Sequence, residues 1–274
     1  MYIANPIYDV VFRFMMEDNK VAKKFISTII SEEVVELEFA HTEYPTENLT
    51  GEIKTVYHMD FVAQITLPNG GYKTVAIELQ KAKLPSDIMR FRNYLGYNYQ
   101  SNANTYDSEQ RKARQIYCIF LLNHSIGYPQ QPVVEVNQQV RDAATGEVLQ
   151  SQPNEFIDSL HHRSWIVQIP SLKAHRRNDI ERLLSVFDQD AASANDRHIM
   201  NVREEDFQDE FRPLIRRLQM AYTTPDVRNF MKEEDFYIND YRDLERKVAE
   251  QDKIISEKDA EIATLKELMK QMSK

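Results

Sequence analysis

The run Val56-Tyr57-His58-Met59-Asp60-Phe61-Val62-Ala63-Gln64-Ile65, followed by Pro68-Asn69-Gly70-Gly71 and then by Lys73-Thr74-Val75-Ala76-Ile77-Glu78-Leu79-Gln80, decides how this chain folds. In the first run Met59, Phe61, Ala63 and Ile65 alternate with His58, Asp60 and Gln64, which is the two-residue period of a strand with one buried face. Val75, Ile77 and Leu79 set the buried face of the second run. Between them the two glycines can adopt positive φ, so the pair reads as a β-hairpin. With Asn69, Gly70 and Gly71 as the loop, Asp60 is expected across from Gln80 and diagonal to Glu78. Glu78 and Gln80 then share one face, their Cα atoms about 6.6 Å apart.

Outward from the hairpin the chain reads as alternating helices and strands. Pro6 suits the first position of a short apolar helix over 6 to 16, with Asp9 in its first turn. A second helix is expected from Lys20, with Val21, Phe25 and Ile29 at helical spacing. Val34 to Phe39 alternates as a strand. Pro85-Ser86-Asp87 opens a helix to about Gln100 that places Ile88, Phe91 and Leu95 on one face and Arg90, Tyr94 and Tyr97 at three- and four-residue spacing. Ile116 to Leu122 is uniformly apolar, as in a strand buried on both faces. Strands at Val133 to Val140 and Trp165 to Ile169, a turn at 144 to 147, and helices near 178 to 188 and 203 to 232 complete the expectation. The order argues for an α/β or α+β architecture around a mixed sheet.

From about Tyr241 the pattern changes. Val248, Ile255, Ile262 and Met269 recur every seven residues, with Leu244, Gln251, Lys258, Leu265 and Met272 between them. This is a coiled-coil seam, weakened by two polar core positions. It implies self-association or docking on a partner helix; the alternative is a single solvated helix. The expected domains are 1–235, globular, and 236–274, the C-terminal coiled-coil helix.

Composition narrows the function classes. The chain has 274 residues, 43 acidic against 34 basic, for a formal charge of −9. Such a balance disfavours tight nonspecific nucleic-acid binding. Basic clusters at Arg111 to Arg114, Lys173 to Arg177 and Arg212 to Arg217 offer either a local groove or ordinary solvated charge. No apolar run is long enough for a membrane span and no export signal is apparent, so a cytoplasmic protein is expected. The single Cys118 supports neither a disulfide framework nor a cysteine zinc site. His161, His162 and His175 lack zinc-ligand spacing, and no Walker A, dinucleotide or Gly-x-Ser-x-Gly pattern occurs. Trp165, in an apolar strand, reads as core.

Chemistry therefore concentrates on the hairpin. Two carboxylates on one face offer hard oxygen ligands to Mg²⁺ or Mn²⁺. On spacing alone, Asp60 and Glu78 read more readily as ordinary residues on the polar face of a half-exposed hairpin, where alternating carboxylates are common.

The ordered set Asp9-Val10-Val11-Phe12-Arg13-Phe14, then Asp60, then Ile77-Glu78-Leu79-Gln80, then a helix with Arg90, Tyr94 and Tyr97 and a hydrophobic strand resembles the PD-(D/E)xK nuclease family transposases, the recombination-promoting nuclease or Rpn-like proteins. The resemblance covers residues 1 to 125 well, and the stretch to about 235 loosely. It implies a restriction-endonuclease-like PD-(D/E)xK core and Mg²⁺-dependent hydrolysis of DNA phosphodiesters. Asp60 and Glu78 would be the metal ligands, with the Leu79 carbonyl as a third. Gln80 stands where the general motif has lysine, and an amide can orient a water or phosphate oxygen but supplies no positive charge. Asp9 would hold a metal-bound water or second ion, or else serve its helix N-terminus. Lys81 and Lys83 are weaker candidates for the missing ammonium. Arg90 and Tyr94 would contact the scissile phosphate or brace the carboxylates, or simply pack. The reading is a cytoplasmic, Mg²⁺- or Mn²⁺-dependent DNA endonuclease assembled as a homo-oligomer through its tail. Its rivals are a catalytically silent DNA-binding or oligomerising protein of the same fold and a regulatory partner that acts through the coiled coil.

Overall fold

The computed structural model describes the chain except residues 40–55, 68–69, 83–87, 101–105, 108–111, 151–153, 161, 174 and 273–274; at some further positions, 56–60, 78, 90 and 97 among them, it describes the backbone alone. The chain divides into a unit over Met1–Met231 and a second over Lys232–Lys274.

The first unit is mixed α/β. Its strands are β1 (Tyr2–Ala4), β2 (Val34–Phe39), β3 (Val56–Thr66), β4 (Tyr72–Ala82), β5 (Tyr106–Asp107), β6 (Lys112–Ala113), β7 (Gln115–Leu122), β8 (Val133–Val136), β9 (His162–Gln168), β10 (Ala192–Ser193) and β11 (Asp196–Asn201). Its α-helices are α1 (Asp9–Met16), α2 (Asn19–Ile30), α3 (Ile88–Gln100), α4 (Glu155–Ser159), α5 (Asp179–Leu184), α6 (Arg212–Thr223) and the start of α7 (Pro225–Met272). Six strands form the central sheet in the order β2-β3-β4-β7-β9-β8. β2, β3 and β4 are an antiparallel meander, β4, β7 and β9 run parallel, and β8 returns antiparallel along β9. Parallel pairing of β4 with β7 requires a crossover, and α3 lies in that connection.

The period of the strands explains the two layers. Phe61, Ala63 and Ile65 on β3, Val75, Ile77 and Leu79 on β4, and Tyr117, Ile119 and Leu121 on β7 are buried in one core with Val11, Phe12 and Met15 of α1 and Val21, Phe25 and Ile29 of α2. The alternate residues of β7 face the other layer. There Phe91 of α3 and Leu122 form a second cluster with Tyr94 and Phe120, and Ala76, Ile116 and Cys118 a third with Leu95. Because both faces of β7 are covered, polar side chains would be costly on it, and its sequence is apolar throughout.

Several boundaries differ from expectation for local reasons. Helix α1 starts at Asp9, not near Pro6: Pro6 and Ile7 lie in a turn in which the Asn5 side chain accepts from the Ile7 N–H. Asp18 caps α2, accepting from the N–H groups of Lys20 and Val21. On α3, Phe91 is buried whereas Ile88 is exposed, so the apolar face begins one turn later than its spacing suggests; Pro85, Ser86 and Asp87 lie outside the described residues. β8 stops at Val136, after which Arg141 and Val148 bridge across the 144–147 turn. The single expected helix over 203 to 232 is two 3₁₀ turns, then α6, then a break at Thr224 with Pro225 opening α7. A small sheet, β1-β11-β10, closes the unit by pairing Tyr2 with Asn201 and Ala4 with Ile199.

The second unit is helical: α7 runs on through Met272, 48 residues in all from Pro225.

Candidate functional site

The β3–β4 register shifts the expected site by two residues. Thr66 pairs with Tyr72, and the Leu67 N–H donates to the Gly71 carbonyl at 2.7 Å, so the loop is centred on position 69 and Gly70 takes its positive φ of 79°. Asp60 is therefore directly opposite Glu78, and His58 is opposite Gln80. The proposed pairing of Asp60 with Gln80 assumed a loop centred one residue later, and each residue of centring moves the partner by two. The correction brings the two carboxylate positions closer, because residues directly opposite in an antiparallel pair have Cβ atoms about 4.5–5.5 Å apart while diagonal neighbours lie farther away. On the other side of β4, Glu78 pairs with Cys118 and Gln80 with Phe120. Positions 60, 78 and 80 thus share the sheet face on which α3 packs, the face of Ala76 and Cys118.

Two like charges directly opposite in a sheet repel, and a cation between them reverses the sign of that interaction. A hard divalent ion takes one or two carboxylates and several waters, and carboxylates are the residue type that stands at 60 and 78, where the structure describes the backbone alone.

The remaining predicted residues divide between the two faces. Gln80 is fully buried. Lys81, its neighbour, is also fully buried but on the α1 side, where Nζ donates to the Ile7 carbonyl, lies 2.8 Å from Asp9 Oδ1 and sits 5.5 Å from the centroid of the Phe12 ring. Asp9 accordingly meets Lys81 across the core, on the opposite sheet face from positions 60, 78 and 80. Lys83 lies outside the described residues. Tyr94 packs against Phe91 and Leu122, and Arg90 stands one helical turn before it, its backbone alone described. The aromatic rings of Phe91 and Phe120 are 5.0 Å apart beneath this turn of α3.

Sequence reasoning missed a charged network at the α2–sheet junction. Glu32 pairs with Lys73 at 2.7 Å and with Arg163 at 2.6 Å. The Tyr117 hydroxyl receives a hydrogen bond from Lys73 at 2.6 Å and donates to Glu32, and Arg163 continues to Glu135 at 2.7 Å. The Arg163 guanidinium also lies 4.8 Å from the Trp165 ring centroid. Burial pushes the Glu32 carboxyl up, but hydrogen bonds and charge from Lys73 and then Arg163 bring it below its ordinary value. Burial likewise pulls Lys73 down, and Glu32 and Tyr117 more than restore it, leaving it raised. A cavity of about 350 Å³ beside this network is bounded by Trp165, Arg163, Glu135, Arg177 and Glu181. The available signal was the strand period, which places Lys73 and Lys81 at the two ends of the Val75-Ile77-Leu79 face.

The basic clusters are largely committed within the fold. Arg176 pairs with Asp188, Arg177 with Glu181, Arg212 with Asp209 and Arg216 with Glu204, while Arg217 donates to the Phe14 carbonyl and stacks 3.9 Å from its ring centroid. Arg111 lies outside the described residues. Among the described residues no three His, Cys, Asp or Glu side chains group as metal ligands, and no helix is long and apolar enough to cross a membrane. Comparison with protein-family models, with curated proteins and with solved structures gave no match.

Proposed function

We propose that the protein is a divergent PD-(D/E)xK-type nuclease that cleaves DNA phosphodiesters with Mg²⁺ or Mn²⁺, of the mobile-element-associated kind its motifs resemble. The observation that carries this reading is the direct pairing of Asp60 with Glu78 on adjacent antiparallel strands, in a chain order of helix, three-stranded meander, crossover helix and parallel strand. Asp60 and Glu78 would hold the ion, with the main-chain carbonyl of Leu79 as a further oxygen. A divalent ion so held polarises a phosphoryl oxygen and lowers the pKa of a bound water. Gln80 supplies hydrogen-bonding capacity but no charge, and its burial restricts it to orienting its neighbours. Arg90, one turn before Tyr94 on the covering helix, would contact a phosphate. Asp9, bound to Lys81, braces α1 against β4.

The test is plasmid nicking by the purified protein with Mg²⁺, with Mn²⁺ and with chelator, beside Asp60→Ala and Glu78→Ala variants whose folding is checked by circular dichroism. Metal-dependent cleavage is expected, falling at least about a hundredfold in each variant. Cleavage that is absent, or unchanged in both variants, removes the nuclease reading. A catalytically silent binding protein then takes its place, a reading favoured by the buried amide at position 80, the net charge of −9 and the internally paired arginines.

A further inference from the structure

The seam of α7 is a surface whose partner, orientation and register the nuclease chemistry leaves undetermined. Val248, Ile254, Ile255 and Ile262 are 55%, 56%, 57% and 47% exposed, a density of β-branched surface unusual on a solvated helix. An isolated helix of this composition gains little from propensity and depends on burying an apolar stripe. We propose that α7 forms a parallel, in-register, two-stranded coiled coil with a second copy of this chain.

Three features of the sequence on this helix select that occupant. In heptad terms, Val248, Ile255 and Ile262 are a positions, and Leu244 and Leu265 are d positions. β-branched residues at a with leucine at d favour two parallel strands over three or four. Flanking charges complement this arrangement. In a parallel, in-register dimer each g residue stands beside the e residue five positions later in the partner, which matches Lys247 with Asp252 and Glu261 with Lys266. Each match occurs twice by symmetry; only Asp240 beside Glu245 opposes them. The polar core position 258 supplies the third feature. A d residue packs into a hole that includes the partner's next e position, here Asp259, so in register the lysines of both copies gain an acidic neighbour. A register slip of one heptad places Lys258 against a d leucine or glutamine, sets the lysine of one copy beside Lys266 of the other, and reduces the four complementary g–e contacts to two.

The mass of the full-length protein in solution tests the first part. Sedimentation at tens of micromolar should give twice the chain mass of 32.3 kDa. A monomer, trimer or tetramer overturns the proposal. Orientation is tested with Leu265→Cys in the full chain under mild oxidation. Symmetric d positions meet only in a parallel, in-register pair, so rapid and near-complete cross-linking is expected, and a dimer that does not cross-link is antiparallel or slipped. Lys247→Glu should weaken the dimer about tenfold by turning a match into a repulsion, and adding Asp252→Lys should restore it. An unchanged dissociation constant in Lys247→Glu, or no recovery in the double variant, overturns the assigned register.

Discussion

Lys81 is an ammonium group with no exposed surface, and Asp9 is the carboxylate that makes this tolerable. Removing one member of a buried pair costs more than replacing the charge by an apolar side chain, because the remaining ion stays desolvated. Asp9→Ala should therefore lower stability by about 3–5 kcal/mol, whereas Lys81→Met, which leaves a partly solvated Asp9, should cost clearly less. Urea denaturation of the two variants measures the difference, and equal losses would disprove the role assigned to Asp9. Glu32 gives a second expectation. Its carboxyl is held below its ordinary value by Lys73 and Arg163 against the effect of burial, so its stabilisation is complete above the unfolded value of about 4.3 and is lost as pH falls through the lower folded value. Lys73, raised in the folded state, adds stability that is complete below its unfolded value and fades only at strongly alkaline pH. The stability of Glu32→Gln should thus be lower than wild type at pH 7 and converge on it in acid. Thermal melts from pH 7 to pH 3 check this, and a constant gap across the range contradicts it.

At the level of elements, the hairpin was legible in sequence and its register was not. Alternation in 56–65 and 73–80 identifies both strands and the face of each residue, because period two survives any even shift of the partner. The pairing depends instead on where the loop is centred, and Pro68-Asn69-Gly70-Gly71 permits more than one choice. The structure settles it through the Leu67–Gly71 hydrogen bond and the positive φ of Gly70. Gly70→Ala should cost about 1 kcal/mol from backbone strain alone, since open space surrounds the position, and Gly70→Asn should cost less. Chemical denaturation separates the two. The start of α1 and the Glu32 network were illegible for another reason. The turn at Pro6 is held through Asn5, whose amide donates to Gln189 in the far part of the chain, and the ion cluster joins Glu32, just past α2, to β4, β7, β8 and β9; local pattern carries no record of such distant partners.

At the scale of the whole molecule, the division at Met231–Lys232 predicts separable properties. Deleting residues 241–274 should abolish dimerisation while the melting temperature of the Met1–Met231 unit changes by no more than about 2 °C; scanning calorimetry with sedimentation reads both. Surviving cleavage in the deletion would make the tail accessory, whereas loss of every activity would make the helix the working surface. The small sheet that closes the first unit bears on how the chain reaches this state. β1 finds its partner only at residues 199 to 201, so during synthesis the first strand waits for almost the whole unit to emerge. Pairing over such a separation comes late in folding and restrains unfolding more than it speeds assembly. Trimming the fully buried Ile3 to alanine should raise the unfolding rate while leaving the refolding rate nearly unchanged. The N-terminal strand would then act as a latch on the lifetime of the native state, set after the architecture is already built.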